Sequence, residues 1–459
     1  MKKIILPSLI ILVLTSCNDF LDVAPKGELI PTTTNDFEML LNDPRMMEAS
    51  EYNVLQYYCD DAYLPDMLLM VFKTVPFLFK SYTWEKDIYT ENEDDSMWTG
   101  SYSRIFTYNS IIDKVMDSKE GTAAHKESVR GEALLGRAVD YFYLVNTYGP
   151  AYSEATMHTP SVPLVLTDDV TQQLVRNTPK EVYDQIIEDL KQAVEVLPEQ
   201  PKLSAYRGSK DGAFGMLSRI GLYTGNWDMA AEYANIVLEN HNTLLDYNDY
   251  SIIDDQMSIG RTNLPRLYDN PEVFYIRQFG YQYSVSGLIW ISPALEDLYE
   301  AGDRRFELYF TQYFSMMGSD MPWYNYSAFY ELCITPTVPE LLLTRAEAYA
   351  RLGGATNRSN ALADLNKLRQ NRIEPAFYVP LSSSDDSQVL KWVLDERRRE
   401  LVYMGLRFYD QKRLNLEPEF AKDLTRVVEG NTLTLPANSP LYTMTIWPKI
   451  ANYHPEWFK

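Results

Sequence analysis

Histidine and cysteine are scarce in this sequence, at four and three of 459 residues. His125, His158, His241 and His454 stand far apart, so none has the partner spacing of a zinc site. With Cys17 assigned to lipid, only Cys59 and Cys333 remain; they could pair in an oxidising compartment, but two thiols make no disulfide framework and the favoured reading is buried and free. No HExxH, Gly-x-Ser-x-Gly, P-loop or Gly-x-Gly-x-x-Gly pattern occurs, so the familiar metalloprotease, hydrolase and nucleotide signatures are missing. No cofactor and no metal site are expected. Positive charge is also in deficit, with 42 Lys and Arg against 64 Asp and Glu. The resulting net charge of −22 repels nucleic acid and anionic headgroups. Beyond the N-terminus no run is long and apolar enough to span a bilayer.

What is abundant is aromatic surface: 34 Tyr and 8 Trp, more rings than a core alone explains, and suited to stacking on a ligand.

The N-terminus carries Lys2 and Lys3, then Ile4 to Leu14, apolar apart from Pro7 and Ser8. About 20 apolar residues are needed to cross a bilayer, so this is a secretory signal peptide rather than a span. Leu14-Thr15-Ser16-Cys17 resembles a bacterial lipobox, which makes Cys17 the expected lipidation site and residues 1–16 the leader. Losing that leader removes two lysines and no acid, taking the net charge to −24. Residues 17–40, with Pro25, Gly27, Pro31 and Thr32 to Thr34, read as a tether without periodicity.

Helical signals dominate afterwards. Leu134, Ala138, Tyr141 and Val145 recur at spacings of four and three, stopped by Gly149-Pro150. Thr178, Pro179 and Glu181 form a capping box ahead of Ile186, Leu190, Ala193 and Leu197. Two helix pairs follow, one turning at Gly225-Asn226 and one at Gly353-Gly354, with small residues where the helices face each other. That is how tetratricopeptide helices nest, although the pairs are not in tandem at a 34-residue period. The stretches 40–110 and 240–335 read as long irregular insertions, where binding surfaces usually sit.

The segments SCNDFLDVAPKG, WTGSYSRIFTYNSIID, RGEALLGRAVDYFYLVNTYGP and DERRRELVYMGLRFYDQKR, in this order behind a lipobox, resemble the SusD/RagB family over nearly the whole chain. Met404, Leu406 and Gln411 depart from the usual family residues around the Gly405 turn, as does His454 before Pro455, which marks a divergent branch. The resemblance implies an all-α protein: tetratricopeptide-like helix pairs form a single large helical domain, SusD-like, with long loop insertions. That domain would span 41–459, with halves at about 41–250 and 251–459. It further implies a place on the outer membrane of a Gram-negative cell, facing the exterior. The partners implied are a SusC-type TonB-dependent transporter and a glycan or other oligomeric nutrient, with no catalysis. A tetratricopeptide scaffold for another protein and a glycoside hydrolase stay open as alternatives, but with 64 carboxylates any hand-picked hydrolase pair is uninformative.

Among candidate ligand-binding residues, Trp84 resembles the family's stacking tryptophan by its position before the Trp98 helix, and Tyr82 stands beside it. Assigned to a loop, Trp84 should weaken glycan binding when truncated and hardly move stability. Tyr281, Tyr283, Trp290, Trp323, Tyr324 and Tyr326 supply further rings for the same cleft, and Asp61, next to Asp60, an acceptor for ligand hydroxyls. Trp98 belongs to its helix core. Glu91 to Ser96 lacks the alternation and glycine of a calcium loop and reads as a solvated turn. Glu396 reaches Arg399 at i+3, so the ERRREL run reads as structural ion pairs.

Overall fold

The computed structural model describes residues 31–458, apart from 50–53, 201–203, 258–259, 280–289, 315–316 and 329–330. The leader and most of the tether, Cys17 included, lie outside the described residues.

Helices build most of the molecule. At Thr178 the hydroxyl accepts from Glu181 N–H while Glu181 returns a carboxylate to the Thr178 backbone, and Pro179 opens the helix Pro179–Val196. Asp95, the last acid of the ENEDDS run, caps the helix Ser96–Lys114 by accepting from Met97 and Trp98 N–H. Between them runs the 26-residue helix Ala123–Tyr148. Its spacing suggests one buried face, yet nearly every side chain from Gly131 to Tyr148 is buried. It is enclosed by the helices on both sides of it in sequence and by the C-terminal motif. A helix apolar enough to be buried all round sits at the centre of a fold.

Both helix pairs form where the glycines stand. Lys210–Thr224 and Trp227–Asn240 turn at Gly225, in the left-handed region at φ 72°. They approach so closely that a Cβ on Gly221 would sit 2.5 Å from the Ala230 nitrogen. Val338–Leu352 and Gly354–Gln370 pack similarly, and Asp386–Glu400 lies against the first of them.

The two stretches read as irregular are not. The first holds Val54–Tyr58, Asp66–Phe72 and Pro76–Tyr82, all helical, and a two-residue strand β1, Ala62–Tyr63. The second supplies β2 (Gln278–Phe279), β3 (Trp290–Ile291), β4 (Phe310–Phe314), β5 (Ser319–Tyr326) and β6 (Leu332–Cys333). An antiparallel sheet in the order β1-β3-β5-β4 joins them, with Tyr63 opposite Trp290 and Trp290 opposite Asn325. β2 pairs with β6, and near the C-terminus β7 (Leu424–Val428) pairs with β8 (Asn431–Leu435) around Gly430. No described helix is long and apolar enough to cross a membrane. Cys59 and Cys333 are free and buried.

Candidate functional site

The helix Val54–Tyr58 ends in a turn carrying Asp60 and Asp61, and the C-terminal arginines close on both. Asp60 takes Arg407 at 2.7 Å and Arg398 at 3.3 Å. Asp61 accepts from Arg398 at 2.7 Å. Burial opposes ionisation of Asp60, but Arg407 and Arg398 outweigh it and hold the carboxyl well below the usual range. Asp61 goes the other way: burial pushes it up against the pull of Arg398.

Past this turn opens a cleft of about 510 Å³, within the range of small-ligand sites. One wall is β1 with Tyr63, continued by Asp66 at the start of its helix. Ser292 to Ala294, just after β3, form a second. Lys422 to Val427, along β7, form a third, with Tyr82 and Trp84 behind it.

Trp84 is the unusual member. It has φ 56°, a left-handed conformation that a bulky side chain rarely adopts. The turn folds its indole inward, where Nε1 donates to the Tyr58 carbonyl at 2.8 Å. The Arg426 guanidinium lies 4.4 Å from the Trp84 ring and 4.2 Å from the Tyr82 ring. The same guanidinium donates to the carbonyls of Tyr57, Tyr82 and Cys59. Leu64 N–H donates to the Tyr82 hydroxyl at 3.0 Å.

Trp84 is therefore 5% exposed and Tyr82 1%, which corrects the expectation of an exposed loop tryptophan. Each borders the cleft, but neither offers it a free ring face. The half-buried rings nearby are Tyr63, which lines the cleft, and Trp323, 6.1 Å from it between centroids and outside the lining. Trp290 is wholly buried beneath Trp323. Strand alternation puts Tyr324 on the opposite face of β5, packed on Phe306 at 4.8 Å. Tyr326 is buried, and Asp61, sealed under Arg398, does not reach the cleft. Tyr281 and Tyr283 lie outside the described residues. Tyr63, Lys422 and Arg426 went unnoticed in the sequence; only Arg426 carried a signal, the alternation of buried residues through Leu424, Arg426 and Val428.

A second groove, of about 250 Å³, runs between Trp98, Tyr102 and Phe106 on one helix face and Ile450 and Trp457 near the C-terminus. It is mostly apolar, and Trp98 packs on Tyr102 and Tyr148 as a helix-core residue should.

Residues 19–222 match a SusD-like family model described as starch-binding and associating with the outer membrane, and residues 338–443 match the SusD family model itself. The chain belongs to the SusD family. SusD-like protein P2 of Formosa agariphila is 25% identical over 394 residues, covering 73% of this chain and 75% of that one. A SusD-like protein of Bacteroides ovatus is 30% identical over 162 residues, 31% of this chain and 27% of that one. A solved SusD-like carbohydrate binding protein from Bacteroides vulgatus superposes with TM-score 0.71 at 20% identity, over 93% of this chain and 97% of that one. A SusD superfamily protein from the same species gives 0.73 at 19%, over 93% and 98%. At those identities the superpositions speak for the SusD fold alone. That mostly helical fold is the one expected, with the small sheet added to it.

Proposed function

We propose that this SusD-family chain is a non-catalytic lipoprotein that captures a glycan or other oligomeric nutrient in the 510 Å³ cleft and hands it to a SusC-type TonB-dependent transporter. Cys17 anchors it to the outer membrane, facing the exterior, but the tether is shorter than the expected 17–40. Thr34–Leu41 is a capped helix with Phe37 and Leu41 buried, so the folded unit begins near Thr33 rather than at 41. The observation that carries the reading is the Tyr63–Trp323 pair. Tyr63 is a half-buried ring on the lining of a cleft whose rim supplies Asp66 and Lys422 for hydroxyl groups, and Trp323 packs beside it from outside that lining. A sugar's apolar face stacks on rings of this kind, and polar neighbours fix its orientation.

Binding is favoured over hydrolysis by the state of the aspartates. A carboxyl held ionised by two arginines makes a poor general acid, and its neighbour is sealed away from the cleft. The unity of the folded part is supported by contacts between its halves, β1 with β3 and Asp60 with Arg407.

The test is an affinity-gel and glycan-array screen of the soluble form lacking residues 1–17. Saturable binding without release of shorter sugars is expected; turnover would replace this reading with the hydrolase. Cys17→Ala should free the full chain from the membrane fraction, because stable anchoring needs two or more acyl chains. Retention of that variant through a high-salt wash would overturn the anchor.

A further inference from the structure

Charge is distributed unevenly around the cleft. On the Asp60 side, Arg398, Arg407 and Lys422 surround the partly buried Asp60 and the buried Asp61. Lys422 is the outermost of the three. Its ammonium lies 3.8 Å from Asp60, which Arg407 already holds at 2.7 Å, and it is exposed to the cleft.

Arg426 lines the cleft at 8% exposure, and no Asp or Glu among the described residues comes within 4 Å of it. Three backbone carbonyls and two ring faces hold it. These offset part of the cost of desolvating a cation but supply no opposite charge. The contrast with Arg407 is direct. Burial pulls Arg426 below the usual arginine range, whereas Asp60 lifts Arg407 above it despite similar burial. Asp60, also on the lining, acts on Arg426 through space but is already shared by Arg407, Arg398 and Lys422. The other acids there, Asp66 and Asp423, are exposed at the rim, where water weakens their influence. The chain's net negative charge acts from farther away and is screened beyond about 8 Å at physiological salt.

We propose that the cleft's ligand is a glycan bearing anionic groups, carboxylate or sulfate, received by Lys422 at the rim and by Arg426 deeper in. The inference rests on the cleft reading above and narrows it. Arg426, clamped between Tyr82 and Trp84, has a fixed guanidinium plane and sets where the anion sits; Lys422, on a free stem, follows it.

The experiment is affinity electrophoresis of the soluble form through gels containing starch, xylan, polygalacturonate or dextran sulfate, at 50 and 500 mM NaCl. Retardation is expected with polygalacturonate, dextran sulfate or both, the pair telling carboxylate from sulfate, and it should fade at high salt. Lys422→Gln, an exposed change that leaves the fold alone, should weaken that binding about fivefold and Lys422→Glu more. Tyr63→Ala should weaken it too, which places the anion in this cleft. If a neutral polysaccharide binds, loses affinity in Tyr63→Ala and ignores both salt and Lys422, the anionic inference fails while the cleft reading stands. Acidic binding that is indifferent to Tyr63 and Lys422 overturns the inference as a property of this cleft. Retardation by none of the four overturns the anionic inference and leaves the cleft reading to the glycan array.

Discussion

Between the helical layers Arg305 meets Asp303 at 2.7 Å, Glu396 at 2.6 Å and Glu400 at 2.8 Å. Arg372 shares Glu400 with it at 2.8 Å and takes Glu272 at 2.7 Å. In the cleft wall Arg426 meets carbonyls and rings but no carboxylate. Both regions bury arginine, but only in the first does a carboxylate touch the guanidinium; around Arg426 the cleft's Asp60 is taken by Arg407, Arg398 and Lys422. Where every fork of a guanidinium is answered, two states of the side chain are unavailable and the region acts as scaffold. Where a cation is left to dipoles beside an open cleft, a ligand has something to complete.

The most severe way to break that comparison is on the scaffold side. Glu400→Ala takes from Arg305 one of three acids and from Arg372 one of two. It should cost about 3 kcal/mol, the low end for removing one partner of a buried pair, in denaturant unfolding of the soluble form. A loss under about 1 kcal/mol would show the network to be dispensable. On the cleft side, Trp84→Ala removes a buried ring and its hydrogen bond and bares Arg426. It should cost about 3 kcal/mol, the low end for a core tryptophan because the gap opens into the cleft. An unchanged melting curve would return Trp84 to the role of an exposed plate.

A smaller effect tests a link within the scaffold. Lys412 donates to the carbonyls of Asn146 and Gly149 and thereby ties the C-terminal motif to the end of the central helix. Burial lowers its pKa from 10.5 to about 7. At pH 5 the ammonium is charged in both states, and the folded chain bears the whole desolvation cost. Between about pH 7 and 10.5 only the unfolded chain holds the proton, so this contribution to stability rises with pH. Relative to Lys412→Met, the wild type should gain about 1 kcal/mol between pH 6 and pH 8, from 1.36 kcal/mol per pKa unit. A constant gap between the two proteins would remove Lys412 from the account.

The scaffold was far more legible in the sequence than the cleft, and the reason is range. Thr178 and Glu181 cap a helix three residues apart, Gly225 turns within one step, and Glu396 meets Arg399 on the next turn at 2.5 Å. Such local rules can be read from spacing alone. β1 and β3 are two residues each, too short for any alternation, and they pair across more than 220 positions. Tyr63 and Trp323 likewise meet only through that sheet. The left-handed turn at Trp84 occurs with no glycine to announce it, so an interior ring passed for a loop ring. The hairpin of β7 and β8 was readable, from alternation through Leu424–Val428 and the Glu429-Gly430 turn, but its importance lies in where Arg426 lands.

The claim at the centre of this account is that the half-buried rings, not the buried ones, receive the glycan. One binding isotherm decides it: Tyr63→Ala against wild type, on a polysaccharide that retards the wild type. Loss of a stacking ring costs roughly 1–3 kcal/mol on comparable platforms, so affinity should fall about tenfold or more while the melting temperature moves little. Full affinity in Tyr63→Ala, with the same result for Trp323→Ala, would contradict the account and put the ligand elsewhere on the molecule.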